Sequence, residues 1–184
     1  MKIRAATAAE VCANFKLDGE AKKLLRDGMN PQEFVIALIE KKKNVTAIDF
    51  MAHALPVREG IWWGCLCMQH ALGDSLSPLD RAAAKAAVQW VKRPTEENRA
   101  AAKAPAAAAD PMSPAGALAM AANQTGGSVA PPNAPPVPPP AFAPAKAIAR
   151  AVKLASLKTE PASLAKTQRR YVELAMQVAE GHLG

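Results

Sequence analysis

The stretch "LPVREGIWWGCLCMQHALG", Leu55 to Gly73, constrains the fold of this chain more than any other. Read as a helix that begins at Pro56, it lines one face with Ile61, Cys65, Met68 and Leu72, the next with Trp62 and Leu66, and a third with Trp63 and Cys67. A helix apolar nearly all round is normally a buried one. The rest of the chain must therefore supply the helices that surround it. Composition agrees: 50% of the residues are hydrophobic on a count that includes alanine, while aromatic residues are only 4%. Alanine is the strongest helix former and buries little area, so closely packed helices are favoured over a large aromatic core. β-branched residues are sparse, which argues against a sheet. At 184 residues one domain with a real core is the default. The expected fold is all-α, a compact multi-helix bundle or short α-solenoid.

Helix punctuation supports this. Thr7 and Glu10 have capping-box spacing ahead of Val11 and Phe15, and a second short helix fits Gly19 to Arg26. Asn30, Pro31 and Glu33 give the clearest start signal, with Phe34, Val35, Leu38 and Ile39 on an apolar face and Lys41 to Lys43 at the C-terminal end. Thr46 to Ala54 follows, stopping before Pro56. Ser77-Pro78 opens a helix that ends near Trp90 and Val91, Thr95 opens another that Pro105 should end or kink, and Ser113 to Asn123 is a further short one. Two last helices are expected over Pro144 to Leu157 and Pro161 to Gly181, the second with Leu164, Tyr171, Leu174 and Val178 inward.

Residues 1–123 thus read as an N-terminal helical region and residues 144–184 as two basic helices packing on the same domain. The Pro-rich connection, 124–143, contains "SVAPPNAPPVPPPAFAP" and allows only polyproline II or extended chain. Such composition fits a semi-rigid linker. The lack of charge from Pro111 to Ala145, with Val129, Val137 and Phe142, fits an ordered strap across the helical surface instead.

The N-terminal residues lack a secretory apolar run, and no charge-free stretch has the composition of a membrane span, so a cytoplasmic protein without membrane insertion is expected. Three cysteines, two of them separated by a single residue, suit free thiols in a reducing compartment. The net charge is +7, and the positive excess per residue is greatest in the C-terminal part, which permits anionic partners.

The candidate chemical sites are weak. Cys65, Cys67 and His70 suggest a metal, but helical residues two apart point about 200° away from each other, so the two thiolates cannot converge on one ion. Cys67 and His70 could share a face as nucleophile and base, yet no orienting third group or oxyanion-hole loop accompanies them. Trp62, Trp63 and Trp90 could stack bases, but adjacent tryptophans diverge by about 100° on a helix, which favours core packing. Glu59 suits the first turn of the tryptophan helix; Arg58 does not, and it asks for a partner such as Asp49 or Glu59, or docks another protein. Lys146, Arg150 and Lys153 lie along one face opposite Ile148 and Val152, either as a solvated face or as a site for phosphate or an acidic partner. His53 reads as structural. No metal or cofactor is expected.

The phrases "AHALPVREGIWWGCLC", "VKRPTEENRAAA" and "GGSVAPPNAPPVPPP" followed by "AKAIARAV" resemble, in that order, a family of uncharacterised bacterial domains with an LPxRExxWWxCLC signature. The similarity spans Asn30 to the C-terminus. Its signature positions here are Leu55, Pro56, Arg58, Glu59, Trp62, Trp63 and Cys65, with Glu96, Glu97, Asn98 and Arg99 in the second phrase. The resemblance implies an ordered Pro-rich segment and accessory proteins encoded beside contractile (type VI) secretion components, with no enzymatic role. The chain departs from the pattern at "LAMAANQTGG", where a more aromatic helix would precede the glycines.

The expectation is therefore a non-catalytic cytoplasmic adaptor that binds another protein through Arg58, Lys146, Arg150 and Lys153, with a secretion-system component as one such partner. Nucleic-acid binding through the basic C-terminal helices is the alternative.

Overall fold

The structure, a computed structural model, describes residues 2–131 and 133–182. Pro132 in the Pro-rich connection, and Leu183 and Gly184 at the end of the C-terminal region, lie outside the described residues. The helices in chain order are α1 (Ala8–Cys12), α2 (Gly19–Lys22), α3 (Pro31–Glu40), α4 (Asn44–Ala54), α5 (Val57–Leu72), α6 (Pro78–Lys92), α7 (Glu96–Ala101), α8 (Lys103–Ala108), α9 (Pro114–Asn123), α10 (Ala143–Ser156) and α11 (Leu164–Glu180). A 3-10 turn, Pro161–Ser163, leads into α11. There is no strand among the described residues, and the fold is all-α.

The start signals are realised as hydrogen bonds. Asn30 and Glu33 form a reciprocal capping box on α3, and Thr7, Ser77, Thr95 and Ser113 each accept a backbone N–H from the first turn that follows. Three expectations need correction. The second helix is a single turn, Gly19–Lys22, with Asp18 as its cap, and does not reach Arg26. Helix α4 begins at Asn44, two residues before Thr46, and the Thr46 hydroxyl, already inside the helix, donates to the Asp18 carboxylate at 2.8 Å. Pro105 neither ends nor kinks a helix: the break falls at Ala102, and the proline sits in the first turn of α8, where its missing N–H costs nothing.

Helix α5 is enclosed as its sequence demands. It packs against α6, α9, α10 and α11, and α10 in turn packs against α4, α5 and α9. Two glycines on one face of α5 permit the close crossing. A Cβ on Gly64 would come within 2.3 Å of Leu118 Cδ2 on α9, and one on Gly60 within 2.9 Å of Ile148 Cδ1 on α10. Small residues four apart thus let two neighbouring helices approach the same stripe of α5. Trp63, Ile61, Leu118, Ile148 and Tyr171 are fully buried at this centre.

The Pro-rich stretch turns back on itself. The Val129 N–H donates to the Val137 carbonyl at 2.8 Å, and the Val137 N–H to the Ser128 hydroxyl at 2.9 Å. Val129, Val137 and Phe142 are about half exposed, so their side chains are not buried against the helices. Among the described residues, no helix is long and apolar enough to cross a membrane.

Candidate functional site: a groove along α5 and α6 and a basic cleft at α10

The first turn of α5 explains its arginine. Arg58 Nε donates to the Val91 carbonyl at 2.7 Å, which satisfies an acceptor in the last turn of α6 that the helix cannot pair internally. Neither Asp49 nor Glu59, the partners expected from sequence, takes this role. Glu59 is paired with Lys2 at 3.2 Å, and Asp49 with Lys153 at 2.5 Å. Arg99 repeats the device at the end of α9, donating to the Asn123 carbonyl at 2.8 Å and the Gly126 carbonyl at 3.1 Å while Glu96 holds its other edge. A side chain on Gly127, at φ +74°, would collide with that guanidinium, with its Cβ 2.4 Å from Nη2. The planar fork of arginine suits this work, because one edge can bond carbonyls while the other meets a carboxylate.

The paired indoles part company. Trp63 is fully buried, and its Nε1 donates to the Tyr171 backbone carbonyl on α11 at 2.8 Å. Trp62 is half-buried on the outer side of α5. Trp90 is 7% exposed, in the core. Cys65 and Cys67 are also interior; burial pushes the Cys65 thiol up to about 12 and the Cys67 thiol well above its ordinary value. The Tyr171 hydroxyl donates to the Cys67 carbonyl at 3.1 Å and accepts from His70 Nδ1 at 3.1 Å, because a carbonyl can only accept. His70 thus holds a tyrosine in place, and this chain of bonds joins α5 to α11. No group of three or more His, Cys, Asp or Glu among the described residues could hold a metal ion.

Two surface features remain. The first is a groove along the seam of α5 and α6, made of two cavities of about 310 and 390 Å³ that share Trp62 as their common wall. Its lining residues recur at helical spacing: Arg58, Trp62, Leu66 and Gln69 on α5, and Arg81, Lys85, Val88 and Lys92 on α6. From Arg58 to Gly73 the groove runs about 22 Å at 1.5 Å per residue. Its floor is apolar, and its rim carries Arg58, Arg81, Lys85 and Lys92, none of which has a carboxylate partner among the described residues, beside two carboxylates, Asp74 and Glu59, the latter paired with Lys2. Sequence reasoning singled out Arg58 here but missed Arg81, Lys85 and Lys92. Their i, i+4, i+11 spacing on the alanine-rich helix was the signal.

The second is a cleft of about 450 Å³ where the segment after α1 meets α4 and α10. Lys146, Arg150 and Lys153 all line it, as the periodicity of α10 requires, but they are not equivalent. Lys153 is paired with Asp49, and Arg150 Nη2 donates to the Pro111 carbonyl at 2.5 Å. The Lys146 side chain has no hydrogen-bond or ion-pair partner among the described residues. His53 stacks on Phe15 with ring centroids 4.9 Å apart, and its Nδ1 donates to the Asp49 carbonyl at 2.8 Å. Its Nε2 is shut off from solvent and has no hydrogen-bond partner among the described residues.

That arrangement sets a pH dependence. Burial is the main cause that holds His53 below the ordinary histidine value of 6.5, opposed by the Asp49 carbonyl and carboxylate and reinforced by Lys146 and Lys153. The unfolded chain therefore takes up the proton first, so this contribution is complete above 6.5 and is lost as pH falls from there toward the lower folded value. Urea denaturation across that window should show stability falling with acid. A His53→Phe variant, which keeps the ring stack, should show a shallower fall; an unchanged slope would mean that His53 does not carry it. His70, also held below 6.5 by partial burial and Arg170, leaves a residual slope in the variant.

The chain belongs to a family of unknown function, DUF6931, whose family model matches residues 34–179. Comparison with curated proteins and with solved structures gives no match.

Proposed function

We propose that the protein is a non-catalytic accessory protein that holds an acidic, amphipathic helix of a partner protein in the groove between α5 and α6. The observation that carries this reading is the combination of an apolar floor, Trp62, Leu66 and Val88, with four rim cations that lack carboxylate partners. Apolar anchors laid into a groove supply affinity, and complementary rim charges supply rate and orientation. The non-catalytic part is supported by the Cys67 thiol, kept protonated by burial, and by His70, whose Nδ1 is engaged by Tyr171. Nucleic-acid binding through the C-terminal helices has less support, since Lys153 is matched by Asp49 and Arg169 by Glu173. The sequence resemblance to proteins encoded beside type VI secretion components suggests that the partner is one of them, in the cytoplasm.

The test uses a labelled synthetic helix with a leucine face and a glutamate face. Binding to the full chain should weaken with salt, and a Lys85→Glu, Lys92→Glu double variant should lose about tenfold or more in affinity. Binding indifferent to both salt and charge reversal would overturn the groove assignment. For the secretion assignment, proteins that co-purify with the chain from its host should include a contractile-system component; a reproducible set without one would remove it.

A further inference from the structure

Helices α9 and α10 pack directly against each other, yet residues 124–142 connect them. Packed neighbours in helical bundles are joined by about 2–8 residues, and a connection more than twice that length is commonly either a functional loop or a linker. A linker exists to give reach, and this connection gives none. The Val129 N–H is bonded to the Val137 carbonyl and the Val137 N–H to the Ser128 hydroxyl, so the residues between them return to where they left. The Ala134 N–H donates to the Pro131 carbonyl at 3.0 Å within that return. No charged residue occurs from 111 to 145, whereas solvated linkers are rich in charge.

Residues 135–140 have a shape fixed by their own sterics. Proline holds φ near about −65° at 135, 136, 138, 139 and 140, and a residue that precedes proline is kept extended, which covers Ala134, Pro135, Val137, Pro138 and Pro139. No turn or helix falls on 135–140. At three residues per turn of polyproline II, Pro135 and Pro138 share one edge, Pro136 and Pro139 the next, and Val137 and Pro140 the third. The third edge is the attached one: Val137 is bonded through its backbone to Ser128 and Val129, and Pro140 forms part of a cavity wall beside α9 and α10. Pro135, Pro136 and Pro138 are exposed. The carbonyls of Pro135, Pro136, Pro138 and Pro139 accept no hydrogen bond among the described residues. The chain thus presents a ridge of flat apolar rings and open acceptors over roughly 15 Å.

We propose that residues 135–140 are the ligand for a proline-recognising groove on a partner protein, one lined with tryptophan and tyrosine. Flat aromatic rings pack against the pyrrolidine rings, and an indole N–H or phenol O–H donates to the open carbonyls between them. The shape is set before binding, so little conformational freedom is lost when the groove closes on it. The absence of charge selects a groove that reads rings and carbonyls, and offers nothing for a nucleic-acid phosphate to bind.

Calorimetric titration of the full chain with a WW domain selective for uncharged proline runs tests this, since the groove of such a domain carries a tryptophan and a tyrosine. Saturable binding is expected, little changed between low and high salt. The double variant Pro135→Ala, Pro138→Ala should lose about tenfold or more in affinity, and so should a WW domain whose groove tryptophan is replaced by alanine. Both prolines are exposed, and thermal melts that match the parent confirm that the fold survives. Absent binding, binding retained by the double variant, or binding that collapses in high salt would each overturn the proposal. The ridge shares no residue with the α5–α6 groove, so the Lys85→Glu, Lys92→Glu variant should bind the WW domain as the parent does, and the two assignments stand or fall separately.

Discussion

Replacing Trp63 with alanine is expected to destabilise the protein by about 3–5 kcal/mol, the range for removing a large buried aromatic side chain. Three losses coincide. The indole is fully buried at the centre of the bundle, so its contacts vanish and a cavity replaces them. Its Nε1 bond to the Tyr171 carbonyl disappears, and with it one of the ties between α5 and α11. Urea denaturation should show a lower midpoint, and the melting temperature should drop by roughly 10 °C. The adjacent Trp62→Ala is the internal comparison. Its ring is half-buried on the groove side, so truncation should cost no more than about 2 kcal/mol while weakening partner binding. Equal destabilisation by the two changes would contradict the opposed placement of the indoles.

A second large effect is expected at Gly64. Introducing valine there drives new carbon atoms into the space of Leu118, whose Cδ2 already lies 2.3 Å from where a Cβ would be. Leu118 is fully buried, so the clash is relieved only by shifting a packed side chain or separating α5 from α9. Overpacking of this kind costs about 1–3 kcal/mol, of which the better helix propensity of valine returns only a few tenths. The double variant Gly64→Val, Leu118→Ala should recover part of the loss, because the truncated leucine makes room. Double-mutant denaturation checks this: strictly additive losses would mean that the two positions do not share the contact.

What could be read in the sequence was whatever is encoded locally. Caps at Thr7, Asn30, Ser77 and Thr95 rest on hydrogen bonds within one turn, and each appears where the spacing put it. The burial of Trp63, Cys65 and Cys67 followed from an all-round apolar helix. The start of α4 was placed two residues late, at Thr46, because no side chain caps that helix and so no cap residue marks its beginning. Arg58 shows the limit most plainly. Its mismatch with the helix dipole announced that a partner was needed, but the partner is a backbone carbonyl at the end of α6, which leaves no signature in side-chain identities. The α10 periodicity placed Lys146, Arg150 and Lys153 on one cleft, whereas their differing engagement depends on Asp49 and on the carbonyl of Pro111, both set by tertiary packing.

The position of α10 has a consequence for biosynthesis. This helix lies between α4, α5 and α9, yet it follows them in the chain by way of the Pro-rich excursion. A nascent chain that has emerged only as far as the prolines carries the apolar faces of α5 and α9 with nothing to cover Gly60 and its surroundings. The core cannot close before Ile148 on α10 and then Tyr171 on α11 arrive, so the partly synthesised protein is exposed to aggregation for as long as translation dwells on that proline run.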